Sequence, residues 1–256
     1  MPHISYSELK NWIHCPFYHD LNHIQKVLPF DPSPFTAFGQ AAHKVAEEHV
    51  FDESLNCEEV FKKEFETRLN EIDEKTLNES SKLIEEMFEQ GNRIARLPVE
   101  ALKEKFPGYE VISSEEELFE PIEIDLDGWN FKGFIDLVIK TPDGKYHLID
   151  WKTCSWGWKL EKKTDKVITY QLTLYKKFFC EKHGIDPKMI ETYFGLIKRT
   201  AKRDRVEIFR VTSGPKKTKN ALKILNNAIY NINKGNKIKN LLNCNICRIR
   251  NSKWCP

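Results

Sequence analysis

The chain has 256 residues, 40 basic against 38 acidic side chains, 40% apolar and 30% charged residues, and 11 glycines and 12 prolines. That balance excludes collagen, coiled-coil fibre and wholesale disorder, and a chain this long buries enough surface to need no disulfide or metal merely for a core. No apolar run is long enough to span lipid, and MPHISYSELKNW lacks the basic-then-apolar pattern of a leader.

The expected address is therefore a reducing cytoplasm, nucleoid or viral replication compartment, with no membrane partner. Seven cysteines, an odd number, argue against a pure disulfide scaffold.

In chain order, residues 5–14 read as a helix with Ser5 or Ser7 as cap and Leu9, Trp12 and Ile13 on one side, ended by Cys15-Pro16. The turn-rich PFDPSP at 29–34 leads into a second helix from about Ala37 to Val50. Residues 57–105 are charged helical material with few breakers before Pro98, and 51–108 read as a lid-like helical insertion within a single domain, 1–256. From Tyr109 the pattern changes. Residues 111–118 form a strand, and Ile122 to Ile139 a hairpin turning at Asp127-Gly128. TPDG at 141–144 turns into a strand at 145–153. A helix over 166–182, strands over 190–198 and 205–212, and a helix over 218–233 complete the pattern. The fold class is α/β, in the α+β mixed-sheet sense.

Charge is unevenly placed. Residues 1–197 hold 24 basic and 36 acidic side chains, while 198–256 hold 16 basic and 2 acidic. A basic end beside an acidic body is a footprint for a polyanion, most simply nucleic acid. Lys198, Arg199, Lys202, Arg203, Arg205 and Arg210 are the candidate backbone contacts.

The chemistry concentrates at Asp136 and at Asp150-Trp151-Lys152. Both aspartates fall near strand ends, and the tight turn between the strands brings them together. Converging carboxylates suit a hard divalent cation, Mg2+ or Mn2+. Lys152 lies on the same strand face as Asp150 and can orient a water or offset charge on a phosphorane, while the Trp151 carbonyl offers a further oxygen. A strand-capping role for the two acids, with Lys152 as their surface partner, is the structural alternative. Trp156 and Trp158 straddle Gly157 just beyond, placed either to stack on unpaired bases or to pack inward.

Five segments in order, SYSELKNWIHCPFYH, GQAAHKVAE, GFIDLVI, LIDWKT and QLTLYKKF, resemble the PD-(D/E)XK nuclease superfamily and its RecB-like exonuclease branch across nearly the whole chain. The resemblance implies a restriction-endonuclease-like core. It makes His43 a metal ligand and Asp136, Asp150 and Lys152 the catalytic trio. It aligns Glu47 with the acid one turn beyond the histidine, and Gln171 and Tyr175 with a Q-x-x-x-Y helix that touches the lysine, a ligand or the phosphate. The arginine usual before the first acid is absent, because Gly133-Phe134-Ile135 precedes Asp136. One of Glu115, Glu116 and Glu117 can also approach the metal; strand alternation sets Glu115 and Glu117 apart from Glu116.

Cys244, Cys247 and Cys255 put three thiols near the C-terminus, within 240–256, and Cys15 is the candidate fourth. Relatives of this branch join one N-terminal and three C-terminal cysteines around a four-iron, four-sulfur cluster (4Fe-4S), a structural staple. The gap from Cys247 to Cys255 is longer than that pattern, so four-thiolate zinc and unliganded cysteines stay open beside it. Cys57, Cys154 and Cys180 read as small apolar side chains. The implied activity is metal-dependent hydrolysis of DNA, exonucleolytic on single-stranded or frayed ends. The alternatives are an endonuclease or CRISPR-adaptation-type nuclease, and a non-catalytic, metal-stapled nucleic-acid-binding protein. No Walker A motif is present, so any helicase, like a recombination or replication factor, would be a separate partner.

Overall fold

A computed structural model describes residues 1–29, 32–123 and 128–255. In chain order the elements are β1 (His3–Ser5), α1 (Tyr6–His14), α2 (Pro16–His19), α3 (Pro34–His49), α4 (Cys57–Leu69), α5 (Glu74–Glu79), α6 (Ser81–Ile94) and α7 (Leu97–Lys105). Then come β2 (Glu110–Pro121), β3 (Asn130–Lys140), β4 (Tyr146–Cys154), α8 (Leu160–Thr164), α9 (Lys166–His183), β5 (Ile190–Lys198), β6 (Val206–Val211) and α10 (Pro215–Asn233). Among the described residues no helix is long and apolar enough to cross a membrane.

Two units are distinguishable. The first comprises 1–30, 119–133 and 215–256. In it β1 runs parallel to the start of β3, with Ile4 opposite Phe131. Ser5 caps α1 by accepting the Glu8 N–H, and Cys15 is extended, so α1 stops as expected. Pro16 then opens α2 at its first position, where a missing N–H costs nothing, and five residues of π-helix follow. The sequence pattern of 16–24 did not suggest this. Leu21, Leu28 and Ile249 form a small core with Phe17, Tyr18 and Trp254 beside them.

The second unit, 31–118 and 134–214, carries a mixed α/β core. There β3 and β4 are antiparallel, β4 and β5 parallel, and β5 and β6 antiparallel, while β2 pairs with β3. The parallel pair needs a crossover, which α8 and α9 supply. Residues 57–105 break into four helices. Pro98 lies in the first turn of α7, where its missing N–H is tolerated. Phe61, Phe65, Met87, Ile94 and Leu102 share one buried cluster with Leu137, Ile149 and Trp151, so this helical segment packs into the core of the unit. The Asp127 half of the expected hairpin turn lies outside the described residues.

Candidate functional site

The β3–β4 ladder runs from Lys140 opposite Tyr146 to Leu137 opposite Ile149. One step further the strands place Asp136 and Asp150 at facing positions. The bonded ladder stops there, and the Trp151 N–H donates instead to Asp136 Oδ2 at 2.6 Å. Beyond it β4 stays paired with β5, Asp150 beside Phe194 and Lys152 beside Leu196. Trp151 points to the opposite face and lies against Gly195. A Cβ at position 195 would come within 2.2 Å of the indole, so only glycine fits.

Ser33 caps α3 by accepting the Thr36 N–H, and Ala37, Phe38, Ala41, Ala42 and Val45 bury one side. Gly39, His43 and Glu47 follow at turn spacing on another. A Cβ on Gly39 would stand 3.2 Å from Thr153 Oγ1, which shows how closely the helix approaches the end of β4. His43 Nδ1 consequently lies 3.5 Å from Asp136 Oδ2. From α9, Gln171 Nε2 donates to Asp150 Oδ1 at 2.8 Å and to the Tyr175 hydroxyl at 3.1 Å. Lys152 Nζ is 2.6 Å from Asp150 Oδ2. The structure thus brings His43, Asp136, Asp150, Lys152, Gln171 and Tyr175 into one polar cluster. At Trp151 it is the amide N–H that reaches Asp136.

Burial dominates the electrostatics. It raises Asp136 well above the usual carboxylate range, and the neighbouring Asp150 charge adds to this. Burial likewise raises Asp150, against the pull of Lys152. At Lys152 burial works against the ammonium, but Asp150 and Asp136 outweigh it and the shift is upward. Burial, then Lys152, lowers His43 to about 4, so its imidazole is neutral at pH 7. Glu47 rises to about 7 through burial and then the charge and hydrogen bond of Glu115.

Of the three glutamates, Glu115 is the one beside Glu47. Glu115 has φ +52, a left-handed backbone within β2, and this breaks simple alternation. Glu115 meets Glu47, whereas Glu116 pairs with Lys182 and His183 at 2.6 and 2.9 Å. Ser114, which the sequence did not single out, donates from Oγ to the Asp136 carbonyl at 3.1 Å.

Among the described residues no group of three or more His, Cys, Asp or Glu side chains is spaced to hold a metal ion. Asp136 accepts from the Trp151 N–H and Asp150 from Gln171 Nε2. The donor chemistry nonetheless fits a hard divalent cation. Two buried carboxylates at facing positions raise each other's cost of ionisation, and a neutral imidazole stands beside them.

The basic candidates divide. Lys198 is buried and lies 3.7 Å from Glu207. The Arg199 guanidinium covers Phe35 and Phe38, and Arg205 Nε donates to the Ala201 carbonyl. Lys202 and Arg203 are exposed, as is Arg210, which pairs with Glu191. Trp158 packs against Phe194 and Phe209, whereas Trp156 is 72% exposed. Cys15, Cys244, Cys247 and Cys255 all line one small pocket of the first unit, with His14 and Tyr18. Cys15 Sγ accepts the Asn240 N–H at 3.4 Å there. Cys57 and Cys180 are buried, and Cys154 is intermediate.

The sequence profile of the PD-(D/E)XK nuclease superfamily matches residues 3–256. The chain belongs to this superfamily. A solved structure of a candidate exonuclease from Eubacterium rectale aligns at a TM-score of 0.61, with 15% identity, over 99% of this chain and 90% of its own; that likeness is one of fold. The structure of SSO0001 aligns at 0.40, with 17% identity, over 82% of this chain and 92% of its own. No curated protein sequence matches. A nuclease-superfamily fold fits a nucleic-acid-acting hydrolase.

Proposed function

We propose that the chain is a divalent-metal-dependent DNA exonuclease that hydrolyses phosphodiester bonds at single-stranded or frayed ends. The observation that carries this reading is the pair of facing buried carboxylates with Lys152 at 2.6 Å from one and His43 at 3.5 Å from the other. His43, Asp136 and Asp150 would hold Mg2+ or Mn2+, with the Trp151 carbonyl and Glu47 as further oxygens. Such an ion supplies positive charge against the phosphate and lowers the pKa of water.

The protein's own groups have separable roles. Lys152 Nζ stays protonated beside two carboxylates and offers its charge where a phosphorane would form. Gln171 fixes the Asp150 carboxylate through Oδ1 and leaves Oδ2 to the lysine. Tyr175 accepts from Gln171 and so orients that amide. The Trp151 N–H holds Asp136 in register with Asp150.

End-labelled linear and circular single-stranded DNA with Mg2+ or Mn2+ test the reading. Loss of linear strands from their ends, with circles intact and a chelator abolishing the loss, is the expected result. Cleaved circles would favour an endonuclease. Cleavage indifferent to chelation would end the metal reading.

We also infer that Cys15, Cys244, Cys247 and Cys255 carry a structural four-iron, four-sulfur cluster, ahead of zinc. Their shared pocket supports this. Iron, sulfide and broad visible absorption in anaerobically purified protein are expected; zinc, or no metal, overturns the cluster.

A further inference from the structure

A cavity of about 490 Å³ opens beside His43, walled by α3, α4, β2 and the end of β4. Its size is in the range of small-ligand sites. Its lining is chemically divided. At one end Phe35 presents a ring that is 56% exposed, with Thr36, Gln40 and Thr153 around it. At the other end stand Glu47, Glu64 and Glu115. The two cations of the wall are tied to carboxylates, Lys44 to Glu48 at 3.0 Å and Arg68 to Glu64 at 2.8 Å.

A phosphate placed inside would face that acidic end. A neutral nucleobase would meet no such repulsion, and its ring or exocyclic N–H donors would find acceptors. Phe35 is braced for stacking although it is exposed. The Arg199 guanidinium lies 5.5 Å from its ring centre and is itself held by donating from Nη1 to Gln90 Oε1. An aromatic ring held in place in water loses little entropy when a base lies on it.

We propose that this cavity receives one unpaired nucleobase, stacked on Phe35 with its edge toward Gln40, so that the attached phosphate falls at His43 and Asp136. The proposal rests on the nuclease reading and deepens it: it names the substrate as a single strand with an unstacked base at the scissile position. A base still paired in a duplex cannot enter.

The test is a binding cycle on full-length Lys152→Ala protein in chelator, so that nothing is cut. The probe is a short oligodeoxythymidylate in which one nucleotide at a time is made abasic. One abasic position should weaken binding by roughly fivefold to a hundredfold, the range of base–aromatic stacking. Phe35→Ala should cause a similar loss on the intact strand, and that abasic position should then add nothing. Phe35→Trp should bind as tightly as phenylalanine. Losses that multiply, an abasic scan flat at every position, or Phe35→Ala binding within twofold of its parent would overturn the proposal, as would no binding of the strand at all. Thermal melts of both Phe35 variants separate lost contact from lost fold. Failure of the nuclease reading shows elsewhere, as wild-type protein that leaves single strands intact with Mg2+ and Mn2+ while the binding cycle still reads.

Discussion

The carboxylate cluster and the cysteine pocket are both sets of metal-ligating side chains, yet the fold holds them differently. Asp136 and Asp150 are each fixed by donors: a backbone amide on one, with the His43 imidazole 3.5 Å away, and an ammonium and a carboxamide on the other. The four thiols share a pocket but make only weak contacts, such as Cys244 Sγ to the Asn240 carbonyl at 3.8 Å. Carboxylates buried without partners are costly, so folding must place donors around them, and that fixes their geometry. A thiol is content among apolar neighbours, so folding alone need not bring four of them to ligating distance.

Breaking the donor set should cost most. Lys152→Ala is expected to lower the cleavage rate by roughly a hundredfold to a thousandfold, the scale of a lost transition-state charge partner, with single-strand binding near normal. Single-turnover cleavage beside a binding titration checks it. Equal loss of both would make the lysine structural.

Next is the packing beneath the donors. Gly195→Ala should destabilise the fold by about 1–3 kcal/mol, because the new carbon meets the Trp151 ring. Urea melts measure this, and an unchanged midpoint would show that the indole moves freely.

The pH response sharpens the same side of the comparison. His43 titrates near 4 in the fold against about 6.5 when unfolded, so between those values the unfolded chain binds more protons. Stability should therefore fall as pH drops from 6.5 toward 4. His43→Gln should remove of order 2 kcal/mol of that fall. The raised Asp136 and Asp150 act in the opposite sense, favouring the fold in acid, so the variant must be compared with wild type at each pH, in chelator.

The smallest effect is expected on the other side. Without metal, Cys247→Ser should shift stability by under about 1 kcal/mol, since its half-buried thiol has little to lose. With a bound centre the same change should cost several times more. Melts of metal-loaded and stripped protein separate the two, and identical shifts would remove the cysteines from any metal role.

Much of the carboxylate region was legible in sequence. The spacing from Asp136 through TPDG to Asp150 dictates a hairpin, and the hairpin dictates the facing register. Helical spacing put Gln171 and Tyr175 together for the same reason. What escaped depends on neighbours distant in the chain. No local signal distinguishes Arg199, braced over two phenylalanines, from exposed Arg203. Nor does one distinguish Trp158 from Trp156; burial chose between them. The left-handed Glu115 was hidden because glutamate carries no mark of positive φ.

Asp136 grips the main chain of position 151, not its side chain. Every residue but proline brings that amide with it. The side chain at 151 is held by the buried cluster and by the room above Gly195, whereas the bond to the acid asks nothing of it. A swap there that spares packing should leave any cleavage intact, whereas proline, which brings no N–H, should remove the bond to Asp136.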